Sequence, residues 1–267
     1  MDKIAYIVTA RFGLPAFVFR EIDDINKNSN FQIIPYIMKN GKGNYNTKSE
    51  WNARYWNLRK IFVGFLVTLF KNPVALIRSV YLSLIYIGII DLAIALAFIN
   101  DLRKDKPKKI LAFEGLHAIR IAYFINLLTS INYSVIVHAE MLRVNKHYFK
   151  LTKMAIDKCE YIISPTILNK KKISKKFEVD LKKIIINRMS VDTKKYKTDN
   201  RFKILIVGYY NERKGHETLL KAIKFLDDSG IVVWIAGKDM RRGDYFDVKK
   251  FVNQNDLSKN VRILGDV

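Results

Sequence analysis

The sequence has 267 residues, with 47 lysines and arginines against 25 acidic residues and a formal net charge of +22. A chain of this length has room for two domains that each bury a core. Cys159 is the one cysteine, which excludes an intrachain disulfide and a metal cluster of cysteine and histidine ligands; a reducing cytosol is the expected compartment.

The basic residues are distributed unevenly along the chain. Residues 1–200 hold 34 basic and 16 acidic residues, a surplus of 18, whereas residues 201–267 hold 13 and 9, a surplus of 4. A basic half indicates an anionic partner, either a phospholipid surface or a nucleic acid. No recognisable nucleic-acid-binding module accompanies the charge, so nucleic acid is not an expected partner, and an ordinary solvated surface is the alternative to a membrane.

Buried strands alternate with helices through the first half of the chain. The first strand is followed by a turn that contains Gly13 and by a helix that starts near Phe17. The apolar run of this strand is too short for a signal peptide, so we interpret it as part of the domain. The predicted strands of this half are Lys3–Thr9, Phe31–Ile37, Lys109–Phe113, Tyr133–Val137, Tyr161–Ser164 and Ile184–Asn187.

Residues 51–101 form an unusually apolar helical insertion between these strands. Ile61–Phe70 is almost wholly apolar, Pro73 interrupts the pattern, and Asp91 is the one charge between Ser79 and Asn100. Three interpretations stay open: a membrane span, helices that lie on a bilayer or contact an acceptor, and helices packed in the core. A carboxylate near the middle of the run disfavours the span.

The second half repeats a strand, a polar loop and a helix. Lys203–Gly208 is an apolar run that ends in glycine, and after Lys214-Gly215 four apolar residues recur at helical spacing. A second strand, Ile231–Ala236, ends at Gly237, a helix is expected near Tyr245–Asn253, and a third strand covers Val261–Leu264. Such repeats predict a parallel sheet, and ligands of parallel sheets bind at the carboxyl ends of the strands.

Three motifs of this half carry a resemblance to a known family. They are VGYYNERKG followed by LLKAI, then VVWIAGKD, then NVRILGDV. In this order and at these separations they resemble the donor-binding half of retaining glycosyltransferases of the GT-B fold, of the group 1 or family 4 type. The resemblance implies an α/β protein with two Rossmann-like, doubly wound parallel-sheet domains, here residues 1–197 and an incomplete 198–267, and it implies transfer of a sugar from a nucleotide-sugar donor.

The resemblance also indicates which residues bind the donor. A lysine and backbone N–H groups at a helix start can hold a diphosphate leaving group. The family usually has an arginine directly after the strand glycine, where this chain has Tyr209, and a neighbouring arginine is the candidate that supplies this charge. The predicted donor-binding residues are Gly208, Arg213, Lys214, Gly215 and Gly237.

In the first half the segment VIVHAEM resembles the family's pattern at the end of a buried strand. The resemblance implies a catalytic role for His138, which helps to position or polarise the reacting groups, and a substrate contact for Glu140. It also places Gly13 in a loop that approaches the donor or the acceptor. A structural histidine and an ordinary turn glycine are the alternatives.

The family's donor domain continues for about a hundred residues beyond this point and contains two glutamates spaced eight apart. We therefore expect a C-terminally shortened glycosyltransferase of cell-surface polysaccharide synthesis, with a glycan or lipid-linked acceptor and no metal or other cofactor. Its expected place is the cytoplasm, peripherally at the inner membrane face. The alternative is a non-catalytic remnant or a protein that binds a membrane surface.

Overall fold

A computed structural model describes residues 1–113, 115–138, 141–142, 144–188, 203–226, 230–238 and 245–266. The chain divides into two compact units, Met1–Val191 and Asp192–Val267. This division falls in residues 189–202, outside the described part, so the predicted boundary between residues 197 and 198 stays a prediction. Each unit is described by itself.

The first unit is built on one seven-stranded sheet in the order β3-β2-β1-β4-β5-β6-β7, and every recorded pairing in it is parallel. The predicted strands are confirmed with small changes of bounds, and β3 was not predicted. The strands are β1 (Asp2–Ala10), β2 (Phe31–Asn40), β3 (Arg54–Tyr55), β4 (Lys109–Phe113), β5 (Tyr133–Ile136), β6 (Ile162–Ser164) and β7 (Ile184–Ile186).

Helices cover both faces of this sheet. Successive residues of a strand point to opposite faces, so Ala5 and Ile7 belong to one apolar cluster and Tyr6 and Val8 to another. Burial on both faces explains why the strands are continuous apolar runs. The helices are α1 (Ala16–Asn28), α2 (Leu58–Lys71), α3 (Pro73–Ile85), α4 (Ile89–Asp105), α5 (Leu116–Thr129), α6 (Lys146–Lys158) and α7 (Ile167–Phe177).

The apolar insertion folds as three helices, α2, α3 and α4. Asn57 and Asn72 cap the starts of α2 and α3, and Pro73 occupies the first position of α3, where its missing N–H costs nothing. Asp91 lies in the first turn of α4 and is buried. Across the described residues, no helix is long and apolar enough to cross a membrane.

The second unit has a three-stranded parallel sheet in the order β10-β9-β8. Its strands are β8 (Lys203–Val207), β9 (Val232–Ala236) and β10 (Val261–Gly265), and its helices are α8 (His216–Leu226) and α9 (Val248–Gln254). Leu220 and Ile223 of α8 pack in one apolar cluster with the inner residues of β9, as the helical spacing predicted, and Val252 of α9 joins them. Leu226, the last of the four residues at that spacing, is exposed. The prediction of parallel α/β architecture is thus confirmed in both units.

Candidate functional site

Glycines end all three strands of the second unit, and their backbones are close together. The N–H of Gly208 donates to the carbonyl of Ala236 at 2.9 Å, and the N–H of Gly237 donates to the carbonyl of Gly265 at 2.6 Å. A Cβ atom added to Gly237 would lie 2.0 Å from the carbonyl oxygen of Gly208, and Gly237 has a φ of +140°. Only glycine fits this position without moving the neighbouring strand end.

The side chain of Lys214 crosses the end of β8. Asn211 caps the short 3-10 turn Glu212–Lys214 by accepting from the N–H of Lys214 at 3.2 Å. The Cγ, Cδ and Cε atoms of Lys214 lie 3.1–3.2 Å from the place where a Cβ of Gly208 would stand. The aliphatic stem therefore packs over Gly208, and the exposed lysine makes no ion pair with any residue that the structure describes.

The start of α8 lies directly beyond this lysine. Gly215 has a φ of +73°, and the space that its Cβ would occupy is open. The first N–H groups of a helix have no partner within it, and the helix dipole favours an anion there. Arg213 is an exposed residue of the same 3-10 turn and directly precedes Lys214, and its predicted contact with the donor stays a prediction.

A buried histidine, His216, supports this loop and was not among the predicted residues. Tyr210 packs edge-on against its ring at 5.3 Å between centroids. Burial lowers the pKa of His216, and the neighbouring charge of Lys214 adds to this effect. The positive charges of this turn are those of Arg213 and Lys214.

The loop after β8 is also tied to the loop after β9. The N–H of Tyr210 donates to the carbonyl of Lys238 at 3.3 Å, and the N–H of Phe246 donates to the carbonyl of Tyr210 at 3.1 Å. Lys238 forms an ion pair with Asp266 at 2.7 Å. These bonds hold the ends of all three strands together in one pre-formed surface.

In the first unit, His138 follows β5 at the carboxyl edge of the sheet. Its ring lies between two aromatic rings, 6.1 Å from that of Phe17 and 5.6 Å from that of Phe113. The half-buried imidazole is thus held in one orientation by packing. The predicted position of His138 at a strand end is correct, and its catalytic role stays a prediction.

Glu21 lies near His138 and was not singled out from the sequence. The hydroxyl of Tyr6 donates to Glu21 Oε2 at 2.9 Å. Burial raises the pKa of Glu21, while the Tyr6 hydrogen bond and the charge of His138 oppose this rise. Phe17 and Glu21 are four residues apart, hence on one face of α1, and this spacing was the available signal.

Gly13 and Glu140 were the two predicted substrate-binding residues. Gly13 has a φ of +75°, and its Cβ would lie 2.7 Å from the carbonyl oxygen of Tyr45. The chain's own backbone fills this side of Gly13, which accounts for a glycine at this position, and the predicted substrate contact of Gly13 stays a prediction. Glu140 lies outside the described residues, together with residue 139.

A buried ion pair, also missed, connects the insertion to the helix after β4. Asp91 accepts from Arg120 Nε at 2.6 Å and lies 2.5 Å from His117 Nδ1. The side chains of Asp91 and Arg120 are each 1% exposed, and Arg120 stacks over the ring of Tyr148 at 4.6 Å. His117 is half-exposed at the first turn of α5, so the pair fixes its ring near the same edge of the sheet.

No protein-family model matches the chain, and no curated protein matches it. Solved structures match it over its full length. A glycosyltransferase from Rickettsia africae is 14% identical with a TM-score of 0.62, and the match covers 100% of this chain and 68% of that one. Anabaena HepE in complex with UDP is 10% identical with a TM-score of 0.68, and the match covers 100% of this chain and 70% of that one.

A UDP-N-acetylglucosamine 2-epimerase also matches, at 12% identity and a TM-score of 0.50, over 100% of this chain and 69% of that one. At such low sequence identity the similarity establishes the fold only, and the activity has to be argued from the residues of the site. The chain therefore has a GT-B glycosyltransferase-like fold, as the resemblance of its motifs implied.

Proposed function

We propose that this chain is a glycosyltransferase that binds a nucleoside diphosphate sugar at the strand ends of its second unit. The observation that carries the proposal is the stem of Lys214 lying across Gly208, beside the open start of α8. A cation, free helix N–H groups and glycines without side chains together form a cradle for a diphosphate.

The same arrangement supplies the chemistry that sugar transfer needs. When the bond from the sugar to the diphosphate breaks, negative charge develops on the leaving diphosphate. The ammonium group of Lys214 stabilises that charge, and the N–H groups at the start of α8 donate hydrogen bonds to the diphosphate oxygens. Because His216 is buried with a lowered pKa, it supports the loop and adds no charge of its own.

Uridine diphosphate is the donor nucleotide that we infer. Two of the similar structures hold it, HepE in complex with UDP and the S. aureus MnaA-UDP co-structure, which matches with a TM-score of 0.53. A named glycosyltransferase and a named 2-epimerase are both among the similar structures, and transfer is the reaction that we propose.

The first unit is the side that we assign to the acceptor. His138, held between Phe17 and Phe113, can hydrogen-bond a sugar hydroxyl or a phosphate, and it lies close enough to Glu21 to affect the pKa of that carboxyl. A polysaccharide or lipid-linked glycan is the acceptor class that we propose, with retention at the anomeric carbon and a place at the inner face of the cell membrane. The basic first half supports an anionic or membrane-bound acceptor.

Calorimetric titration with uridine diphosphate and its glucose and N-acetylglucosamine conjugates tests the donor site. We expect Lys214→Ala to weaken binding by about tenfold or more, because it removes a charge-assisted bond to phosphate. Lys221→Ala is the matched control, since Lys221 is an exposed lysine of α8 that pairs with Glu217. Equal affinities of the wild type and Lys214→Ala would contradict the proposal.

An assay for the reaction product distinguishes a transferase from a non-catalytic protein and from an epimerase. Incubation of the chain with a radiolabelled donor and membrane extract is expected to yield labelled glycan or glycolipid, with the anomeric configuration retained. Tight donor binding without any labelled product would favour the alternative of a non-catalytic remnant. Conversion of the free nucleotide sugar into its 2-epimer would identify an epimerase.

A further inference from the structure

Helices α2 and α3 expose an extensive apolar surface, which we call the insertion face. Their large side chains point away from the rest of the unit at helical spacing. Its members are Leu58, Phe62, Val63, Phe65, Leu69 and Phe70 on α2 and Val74, Ile77, Tyr81, Leu84 and Ile85 on α3. An exposed patch of contiguous apolar side chains marks an interaction surface.

Helix α2 buries only small or polar residues, Gly64 and Thr68, and α3 buries Ser79 and Ser83 beside Leu76 and Leu82. Gly64 lies so close to α4 that an added Cβ would stand 1.9 Å from the carbonyl oxygen of Leu96. Thr68 and Ser83 are buried and donate to backbone carbonyls of their own helices, at 2.7 and 2.8 Å. Small residues inside and large apolar residues outside are typical of helices that face lipid.

The turn between α3 and α4 extends the same face. Ile87, Ile89 and Ile90 are all exposed, and Ile87 has a φ of +53°. A β-branched residue is strained in this left-handed conformation, and a glycine or asparagine would be the usual choice. The exposure of these three isoleucines is not explained by packing within the unit, whereas contact with an apolar phase would explain it.

The segment that contains α2 and α3 carries charge of one sign, and two of its basic residues pair with acidic residues of α4, Arg54 with Asp105 and Lys60 with Asp101. Residues 51–90 contain five basic residues and no acidic residue. Within the part of the chain that the structure describes, Arg59, Lys71 and Arg78 have no ion-pair partner. Lys71 also lines a cleft of about 450 Å³ at the end of α2, together with Arg103 and Lys106 and without any acidic residue. This distribution complements an anionic surface.

We propose that the insertion face docks on the surface of an anionic phospholipid bilayer. Helices α2 and α3 have 14 and 13 residues, too few to cross the hydrocarbon core, so they lie in the interface with their apolar side chains among the acyl chains. Arg59, Lys71 and Arg78 reach the phosphates of the headgroups. This proposal rests on the proposed place at a membrane face and gives it a docking surface, and its test depends neither on the donor site nor on catalysis.

A second copy of the chain fits this face less well than a bilayer does. A twofold contact brings the same surface of each protomer together. It would bury the uncompensated Arg59, Lys71 and Arg78 of one copy beside those of the other. A lipid surface supplies the missing negative charge at the same time as the apolar phase.

Cosedimentation of the full chain with phospholipid vesicles tests the proposal. Vesicles of phosphatidylcholine with about one-third phosphatidylglycerol are compared with pure phosphatidylcholine, and we expect the partition coefficient to be at least about tenfold higher for the anionic vesicles. The double variant F62S/F70S removes two rings of the insertion face that are 64% and 83% exposed. It is expected to reduce binding to anionic vesicles by about tenfold or more.

The matched control is F225S/L226S, which removes two exposed apolar side chains of α8 in the second unit. This control is expected to bind anionic vesicles as the wild type does. Wild-type protein that stays in the supernatant would overturn the proposal, as would equal losses in the two variants. A soluble dimer that F62S/F70S dissociates would also overturn it, because a second copy would then be the occupant.

Discussion

Close backbone contacts within the second unit determine which residues fit at its strand ends. Gly237 faces the carbonyl oxygen of Gly208, and the stem of Lys214 lies where a side chain of Gly208 would begin. The two glycines and the lysine are therefore linked, because a larger residue at position 208 would displace Lys214. Lys214 can lie over the end of β8 because Gly208 has no side chain there.

Glu21 gives a prediction that depends on pH. Burial raises the pKa of its carboxyl in the folded protein above the unfolded value of about 4.3. The unfolded chain therefore loses this proton first, and the stability that the neutral carboxyl provides is present below about pH 4 and is lost as pH rises through the folded pKa. Glu21→Gln keeps an acceptor for Tyr6 and removes the titration.

We expect the free energy of unfolding of Glu21→Gln to match that of the wild type near pH 4 and to exceed it increasingly towards neutral pH. Urea denaturation across this range, followed by circular dichroism, measures the difference. Glu50→Gln is the matched control, since Glu50 is exposed, and it should show no such divergence. A difference between Glu21→Gln and the wild type that does not change with pH would contradict the assignment.

At the scale of elements, α4 is held to α5 by a buried charge pair. Asp91 and Arg120 are 29 positions apart in sequence and hydrogen-bond at 2.6 Å. Two charges buried in an apolar layer stabilise each other only as a pair, and removal of one leaves the other without compensation. The carboxylate of Asp91, which disfavoured a membrane span in the sequence, thus links α4 to α5.

Asp91→Asn is expected to lower the free energy of unfolding by about 3–5 kcal/mol, because it leaves the guanidinium of Arg120 buried without a counter-charge. Asp101→Asn is the control on the same helix. Asp101 pairs with the partly exposed Lys60 at 2.8 Å, and its loss should cost about 1 kcal/mol or less. Equal losses in chemical denaturation would show that the buried pair does not anchor α4.

Sequence reasoning predicted the existence of these elements better than their orientation. The apolar run from residue 61 to residue 100 indicated helices, and Pro73 indicated where one ends. Which side of α2 is buried did not follow, because both sides are apolar and the decisive residues are the small ones, Gly64 and Thr68. The pairing of Asp91 with Arg120 joins distant segments, and no local pattern reports such a contact.

At the scale of the whole molecule, alternating strands and helices predicted two parallel sheets, and both are present. The strand order was not predicted: β1 lies between β2 and β4 in the seven-stranded sheet, and this order depends on long-range pairing. The motif of Gly208, Lys214 and Gly215 could be recognised because all of its parts lie within eight positions. His216 and Glu21 were missed because burial determines their chemistry, and burial is a property of the folded chain.

The central claim is that a diphosphate binds at the start of α8 and the ends of β8 and β9. Hydrogen–deuterium exchange of the full chain with saturating uridine diphosphate tests it most directly, with uridine monophosphate as the control. We expect the diphosphate to slow exchange at residues 208–219 and 237–238, and the monophosphate to protect them less. Protection confined to the first unit, or equal protection by the two nucleotides, would contradict the claim.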